Sequence, residues 1–140
     1  MILLDTNVIS AFMQAVPNPV VAKWLDLQPR DSIWTTSITV MELRSGIRAM
    51  PASRRRTALT QALAALVEEK IQGRIASFDL LAAECAAELN ALRKLRGRTV
   101  EFRDTMIAGI ALATNATLCT RNVTHFSDLN VTVVNPWNTI

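Results

Sequence analysis

The sequence predicts an α/β domain in which a mostly parallel sheet is covered by helices on both faces. Short apolar runs that are typical of buried strands alternate with longer segments of helical spacing along the 140 residues. The first apolar run, Met1–Leu4, ends at an aspartate that is followed by further helix-capping residues. We find no linker, repeat or low-complexity segment, so we expect residues 1–140 to form a single domain.

The first half of the chain predicts two strands and four helices. Pro19 is placed to start a helix, and Pro51 ends another, because proline is tolerated in the first helical turn and not in the interior. Leu59, Leu63 and Leu66 recur at helical spacing, which indicates a buried face. In order, we predict a strand at 1–4, a helix after Asp5-Thr6-Asn7, a helix at 20–27, a strand at 33–36, a helix capped by Ser37 or Thr39 and running to about 50, and a helix at 53–70.

The second half predicts three strands and two helices. Gly73 stops the preceding helix, and Gly97 ends the next one. Four side chains that recur at intervals of three or four predict the buried face of the helix between them: Leu81, Cys85, Leu89 and Leu92. In order, we predict a strand at 74–78, helices at 79–95 and 101–115, and strands at 117–120 and 131–134.

Composition restricts the class of protein and the kind of metal. No apolar stretch approaches the roughly 18 residues of a membrane span, and Asp5 interrupts the first apolar run too early for a signal peptide. We therefore expect a cytoplasmic protein, with Cys85 and Cys119 as reduced, buried thiols. His125 is the only histidine and is interpreted as structural. A chain with a single histidine is not expected to hold zinc in the usual His/Cys type of site. A bound metal would need oxygen ligands and would be Mg²⁺ or Mn²⁺.

The basic residues suit an RNA or an acidic protein segment as partner. The net charge is +3, and only three of the 15 basic residues are lysine. Two arginine-rich clusters, at residues 54–56 and 93–98, could bind phosphate or carboxylate groups, or could simply be solvated. We predict that Arg103 forms an ion pair rather than a phosphate contact and that Asp128 faces solvent. The three tryptophans are interpreted as packing residues: Trp24, Trp34 and Trp137.

Three acidic residues are placed to meet at one edge of the predicted sheet. Asp5 ends the first strand, Glu42 lies about one turn into the helix after the second, and Asp104 lies in the first turn of the helix at 101–115. Asn122 follows the end of another strand, and ligands of open parallel sheets bind at the carboxyl ends of strands. Clustered carboxylates repel one another and need a cation, and Mg²⁺ or Mn²⁺ could then activate a water for phosphodiester hydrolysis.

Each acid taken alone also has a purely structural interpretation. Asp5 could be only a helix cap, and Asp104 could be only a first-turn acid that is stabilised by the helix dipole. Glu42 lies in an apolar stretch and could simply be half buried. The functional interpretation therefore depends on all three side chains meeting at one place.

Five segments of the chain together form a recognisable pattern: MILLDTNVIS (1–10), TSITVMELRSG (36–46), DTMIA (104–108), TRN with a following Phe (120–122 and 126) and VNPW (134–137). With these segments the chain resembles the PIN-domain ribonucleases, in particular the VapC toxins of type II toxin–antitoxin pairs and their FitB-like branch. The resemblance covers nearly the whole chain, with the motifs in order. It implies a PIN-like three-layer α/β/α sandwich and metal-dependent endonucleolytic cleavage of RNA, commonly tRNA or another structured RNA.

The resemblance also implies site residues and partners. Asp5, Glu42 and Asp104 match the metal-binding acids of the family, and Thr120 matches a hydroxyl that orients the first of them. Thr6 matches the polar residue that follows that first acid. The partners implied are an RNA substrate, a second copy of the chain in a homodimer, and an inhibitory VapB/FitA-like antitoxin that would contact operator DNA on behalf of the complex.

Asn122 departs from the family pattern, because a fourth acid commonly stands there. Its amide oxygen can still face a metal or its water but brings no charge, which argues against a stable second ion.

The alternative from another class is a non-catalytic PIN-like module that binds RNA or protein. A phosphohydrolase of the haloacid dehalogenase type is excluded, since its chemistry needs a second Asp where this chain has Asn7, and a phosphoacceptor receiver domain would need paired acids that the chain lacks.

Overall fold

The computed structural model describes residues 1–138 and contains a five-stranded sheet in which all paired strands are parallel. The strands are β1 (Ile2–Leu4), β2 (Ile33–Thr36), β3 (Ile75–Ala76), β4 (Thr117–Cys119) and β5 (Val133–Val134). Their order across the sheet is β3-β2-β1-β4-β5. The helices in this part of the chain are α1 (Thr6–Phe12), α2 (Pro19–Asp26), α3 (Ser37–Arg48), α4 (Arg54–Ala65), α5 (Leu80–Leu95) and α6 (Phe102–Thr114).

The sheet separates two apolar cores because successive side chains of a strand point to opposite faces. Leu3 and Leu118 belong to the core on one face, where α5 and α6 pack. Leu4 and Cys119, the next residues of the same strands, belong to the core on the other face, to which α1, α2, α3 and α4 contribute. This arrangement confirms the predicted three-layer α/β/α sandwich with a parallel sheet.

Most predicted elements are observed, and the differences lie at their ends. The cap of α3 is Thr36, not Ser37 or Thr39; its Oγ1 accepts the Thr39 backbone N–H at 3.0 Å, because β2 runs directly into the helix. The predicted helix at 53–70 is α4 followed by a π-helical turn at Leu66–Lys70. The predicted strands at 74–78, 117–120 and 131–134 are shorter, and only the residues of β3, β4 and β5 pair.

Two of the four residues predicted for the buried face of α5 are exposed, whereas Leu89 is buried as predicted. Leu81 and Leu92 are 55% and 42% exposed, whereas the buried residues of the helix are Ala82, Ala86, Leu89 and Arg93. The reason is a close approach between α5 and α6 at Gly109. A Cβ atom on Gly109 would lie 2.5 Å from the Ala82 carbonyl oxygen and 2.7 Å from the Ala86 Cβ, so the contact face is made of small residues rather than leucines.

This close approach predicts that Gly109→Ala will destabilise the fold. A methyl group placed there requires the two helices to separate, and such overpacking costs about 1–3 kcal/mol. The free energy of unfolding in urea measures the effect. Gly46→Ala in α3 is the matched control, because a Cβ there meets no atom within 4 Å and alanine should stabilise the helix by about 0.5–1 kcal/mol. A Gly109→Ala protein as stable as Gly46→Ala would contradict the packing described.

The tryptophans and cysteines largely behave as predicted. All three tryptophans are partly buried, with Trp34 against the core on the α5–α6 side and Trp24 and Trp137 against the other. Both cysteines are free thiols, although Cys85 is only partly buried. Burial raises the pKa of the Cys119 thiol to about 12, so this group stays protonated and unreactive at neutral pH. No helix within residues 1–138 is long and apolar enough to cross a membrane.

Candidate functional site

A polar cleft of about 360 Å³ opens at the carboxyl ends of the central strands. β1 is hydrogen-bonded to β2 on one side and to β4 on the other, so the chain leaves β1 in one direction and later returns to its opposite edge. Ligands of open α/β sheets bind at such a reversal of strand order. The cleft brings together four predicted site residues: Asp5, Glu42, Asp104 and Asn122.

Asp5 both caps a helix and lines the cleft, so its role as a cap does not prevent it from facing a ligand. Its Oδ1 accepts the Thr6 backbone N–H at 2.8 Å, which caps α1 at its first turn. Its Oδ2 accepts a hydrogen bond of 2.7 Å from the hydroxyl of Thr120, the residue that follows β4. The residue is only 4% exposed, and these contacts fix the direction in which its carboxylate points.

Glu42 reaches the cleft from α3 and is held by two donors. Its Oε1 accepts a hydrogen bond of 2.8 Å from the Thr6 hydroxyl and lies 3.1 Å from the Nε of Arg103. Thr6 is itself 3.2 Å from the hydroxyl of Thr39. The ion pair confirms the predicted pairing of Arg103, and it places a positive charge inside an otherwise acidic cleft.

Asp104, in the first turn of α6, contacts a residue that sequence reasoning left outside the site. Its Oδ2 lies 2.9 Å from Nδ1 of His125, whose side chain is 45% exposed at the cleft. His125, interpreted from the sequence as structural, therefore lies among the cleft residues. The one sequence signal that could have indicated it is its position shortly after the end of β4, beside Asn122.

The two asparagines lie next to the Asp5–Thr120 pair. Asn122 lines the cleft, and its backbone N–H donates to the Thr120 hydroxyl at 3.0 Å. Asn7, which sequence reasoning did not select for the site, accepts the Arg121 backbone N–H at 3.1 Å. The Asn7 amide nitrogen is also 3.4 Å from Asp5 Oδ2. Asn7 thus connects the start of α1 to the end of β4 across the site.

The electrostatics of the cleft disfavour negative charge. Burial raises the pKa of Asp5 above its ordinary value, and repulsion by Asp104 adds to the rise. The hydrogen bond from Thr120 lowers this pKa and so opposes the rise. Burial likewise raises the pKa of Glu42, with further repulsion from Asp5 and Asp104, while the Thr6 hydroxyl and Arg103 oppose the rise. The positive charge near the three acids of the cleft is therefore too small to balance their negative charge when they are ionised. A bound cation would supply the missing positive charge.

The chemistry of the donor set fits a hard divalent ion. Carboxylate and amide oxygens line the cleft, as Mg²⁺ and Mn²⁺ prefer, and Asp5 and Asp104 both face it. Within residues 1–138, however, no three His, Cys, Asp or Glu side chains stand close enough to enclose one ion. Glu42 is held by Thr6 and Arg103, so its Oε1 would have to exchange these partners to bind an ion.

Two further predictions about charged residues are corrected by the structure. Asp128 does not face solvent: its side chain is 11% exposed, and both of its oxygens lie 2.9 Å from the buried guanidinium of Arg93. The hydrogen bonds from Arg93 hold the pKa of Asp128 below its ordinary value. Arg98 also pairs with Asp128 at 3.7 Å, so two arginines of the cluster at residues 93–98 form ion pairs and are not simply solvated. Lys94 and Arg96 of that cluster remain exposed, as do Arg54 and Arg55.

Comparison with known proteins agrees with this fold. A family model described as "PIN domain" matches residues 2–130, and the chain therefore belongs to the PIN-domain family. Plasmid stability protein StbB of Pseudomonas syringae pv. tomato is 40% identical over 137 residues, which are 98% of this chain and 99% of that protein. The VapC ribonuclease Y4jK of Sinorhizobium fredii is 39% identical over 137 residues, 98% of each chain.

The FitB-like resemblance is confirmed by sequence and by structure. Toxin FitB of Neisseria gonorrhoeae is 34% identical over 138 residues, 99% of each protein. The crystal structure of FitAcB from the same organism superposes with a TM-score of 0.83 at 34% identity and covers 99% of each chain. The similarity therefore extends over nearly the whole length of the chain and includes the elements that form the cleft.

Proposed function

We propose that this chain is the toxin of a type II toxin–antitoxin pair and acts as a Mg²⁺- or Mn²⁺-dependent endoribonuclease. The observation that carries the proposal is the meeting of Asp5, Glu42 and Asp104 in one cleft at the carboxyl edge of the sheet. The pKa values of Asp5 and Glu42 are raised there, so the cleft accommodates negative charge poorly without a cation. Similarity to a VapC ribonuclease and to Toxin FitB supports the same activity.

Each site residue has a role that follows from its contacts. Asp5 and Asp104 would hold the ion, directly or through water, and Glu42 would complete the set of oxygen ligands or hold a water. Thr120 keeps the Asp5 carboxylate in one orientation through its 2.7 Å hydrogen bond. Asn122 presents an uncharged amide toward the cleft, which favours a single tightly bound ion. The bound ion supplies positive charge that activates water and offsets the charge developing on the phosphodiester.

The partners that we propose are RNA and protein. The substrate would be RNA, with tRNA or another structured RNA as the class. The inhibitor would be a cognate VapB/FitA-like antitoxin, which in turn would carry the complex to operator DNA. The chain would also form a homodimer. Similarity to Toxin FitB and to the FitAcB structure supports the toxin assignment.

Cleavage of total cellular RNA tests the proposal directly. We expect antitoxin-free protein to give discrete RNA fragments with Mg²⁺ or Mn²⁺ and to give none in EDTA, because the acids alone offer no positive charge to the phosphodiester. Excess Mg²⁺ should restore cleavage after EDTA. Folded, inhibitor-free protein that leaves every RNA intact with either metal would contradict the proposal and would favour a non-catalytic PIN-like binding module, with Asn122 as the first residue to restore to an acid.

A further inference from the structure

Arg103 carries a positive charge into the acidic cleft from the first turn of α6. Its Nε lies 3.1 Å from Glu42 Oε1, and its Nη2 lies 2.6 Å from Glu101 Oε2. A cation in the first turn of a helix opposes the helix dipole, so this position is unfavourable unless nearby acids offset it. Two carboxylates do so here, and one of them belongs to the proposed metal-binding set.

Arg103 acts as a counter-ion for the acids of the cleft. It contacts Glu42 directly, with Nε 3.1 Å from Oε1, and it lines the same cleft as Asp5 and Asp104. The guanidinium therefore supplies part of the positive charge that a divalent ion would supply at the same place. Two cations a few ångströms apart repel each other, so the guanidinium and the ion cannot share Glu42 without cost.

The partial exposure of the Arg103–Glu42 ion pair allows its two side chains to separate. The side chain of Arg103 is 40% exposed and that of Glu42 is 24% exposed, so separating them does not leave a fully buried charge. Glu101, whose side chain is 68% exposed, already contacts the far end of the guanidinium. Arg103 can thus keep one carboxylate partner at the rim of the cleft while it releases Glu42.

We propose that Arg103 competes with the divalent ion for Glu42, so that the Arg103–Glu42 ion pair must open before Glu42 binds the ion. The inference rests on the metal-dependent function proposed above and adds a residue that sets metal affinity. The contacts of Glu42 agree with this order of events, since its Oε1 is held by both Arg103 and Thr6.

Calorimetric titration of the full-length, antitoxin-free protein with Mn²⁺ tests the proposal without measuring activity. We expect Arg103→Met to bind Mn²⁺ about fivefold more tightly than the wild type, the ratio that corresponds to about 1 kcal/mol for a partly exposed pair. Arg103→Lys keeps the charge but loses the fork of donors, and its affinity should lie between the two. Arg44→Met is the matched control, because Arg44 is exposed on α3, two residues from Glu42, and its loss removes the same charge.

The outcomes separate this inference from the proposed function. Tighter binding by Arg103→Met with no change in Arg44→Met supports the competition. Wild-type affinity in Arg103→Met, or an equal gain in Arg44→Met, overturns it while the metal centre stands. Absence of Mn²⁺ binding in every variant overturns the metal centre and the competition together. Thermal unfolding followed by circular dichroism establishes that each variant is folded before it is titrated.

Discussion

Asp5→Asn is expected to reduce metal-dependent RNA cleavage by at least about a thousandfold, which corresponds to about 4 kcal/mol in the activation barrier. The substitution keeps the shape of the side chain and removes one charge from the proposed metal ligands. The asparagine oxygen can still accept the Thr6 N–H, so the cap of α1 should survive. Fragment formation from total RNA in Mg²⁺, compared at equal concentrations of folded protein, measures the loss.

The same substitution should not destabilise the fold in the absence of metal. Because the pKa of Asp5 is raised in the folded state, its ionised form lowers the free energy of unfolding at neutral pH. We therefore expect Asp5→Asn to be at least as stable as the wild type in urea at pH 7 with EDTA. As the pH falls through the raised pKa, the wild type gains a proton and the difference should shrink.

Asp26→Asn is the control for both measurements. Asp26 is exposed on α2, and the change in charge and shape is identical. It should cleave RNA and unfold like the wild type. An Asp5→Asn protein that is folded and cleaves RNA at the wild-type rate would remove Asp5 from the catalytic set. A large loss of stability would show that the carboxylate stabilises the fold through the hydrogen bond that it accepts from Thr120.

The acids of the site could be predicted because their positions depend on local patterns. Asp5 directly follows an apolar strand, and Asp104 lies in the first turn of a helix. Parallel strands bring such positions to one edge of a sheet, whatever the details of packing. The family resemblance then selected these acids from the 12 in the chain. The same local reasoning placed most of the strands and helices within a few residues of their observed ends.

What the sequence did not indicate depends on contacts between distant segments. Asp128 looks like a loop residue until Arg93, 35 positions earlier, is seen to pair with it. Arg93 looks like one member of a basic cluster because the buried face of α5 was assigned to leucines. That face is instead set by the fit of Ala82 and Ala86 against Gly109, a complementarity of shape that hydrophobic spacing along one helix does not contain.

The buried guanidinium of Arg93 predicts the largest loss of stability. Arg93 is 3% exposed, and besides Asp128 it donates to the Thr105 hydroxyl and to the His125 carbonyl oxygen, each at 2.9 Å. Arg93→Met would leave these two acceptors without their donor and the Asp128 carboxylate with only the 3.7 Å ion pair to Arg98. Removing one partner of a buried ion pair costs about 3–5 kcal/mol. The free energy of unfolding in urea at pH 7 measures the loss, with the exposed neighbour Arg96→Met as the control.

The dependence on pH and the double variant distinguish the ion pair from simple loss of packing. The pKa of Asp128 is lowered in the folded state, so its contribution to stability is complete above its ordinary value and is lost as the pH falls through the lowered one. This loss in acid should be smaller in Arg93→Met, where Arg98 is the remaining arginine that lowers the pKa of Asp128. Arg93→Met combined with Asp128→Leu should recover part of the stability, because no carboxylate is then left unpaired. A double variant no more stable than Arg93→Met would show that Arg93 stabilises the fold by filling space between α5 and α6, and not through its charge.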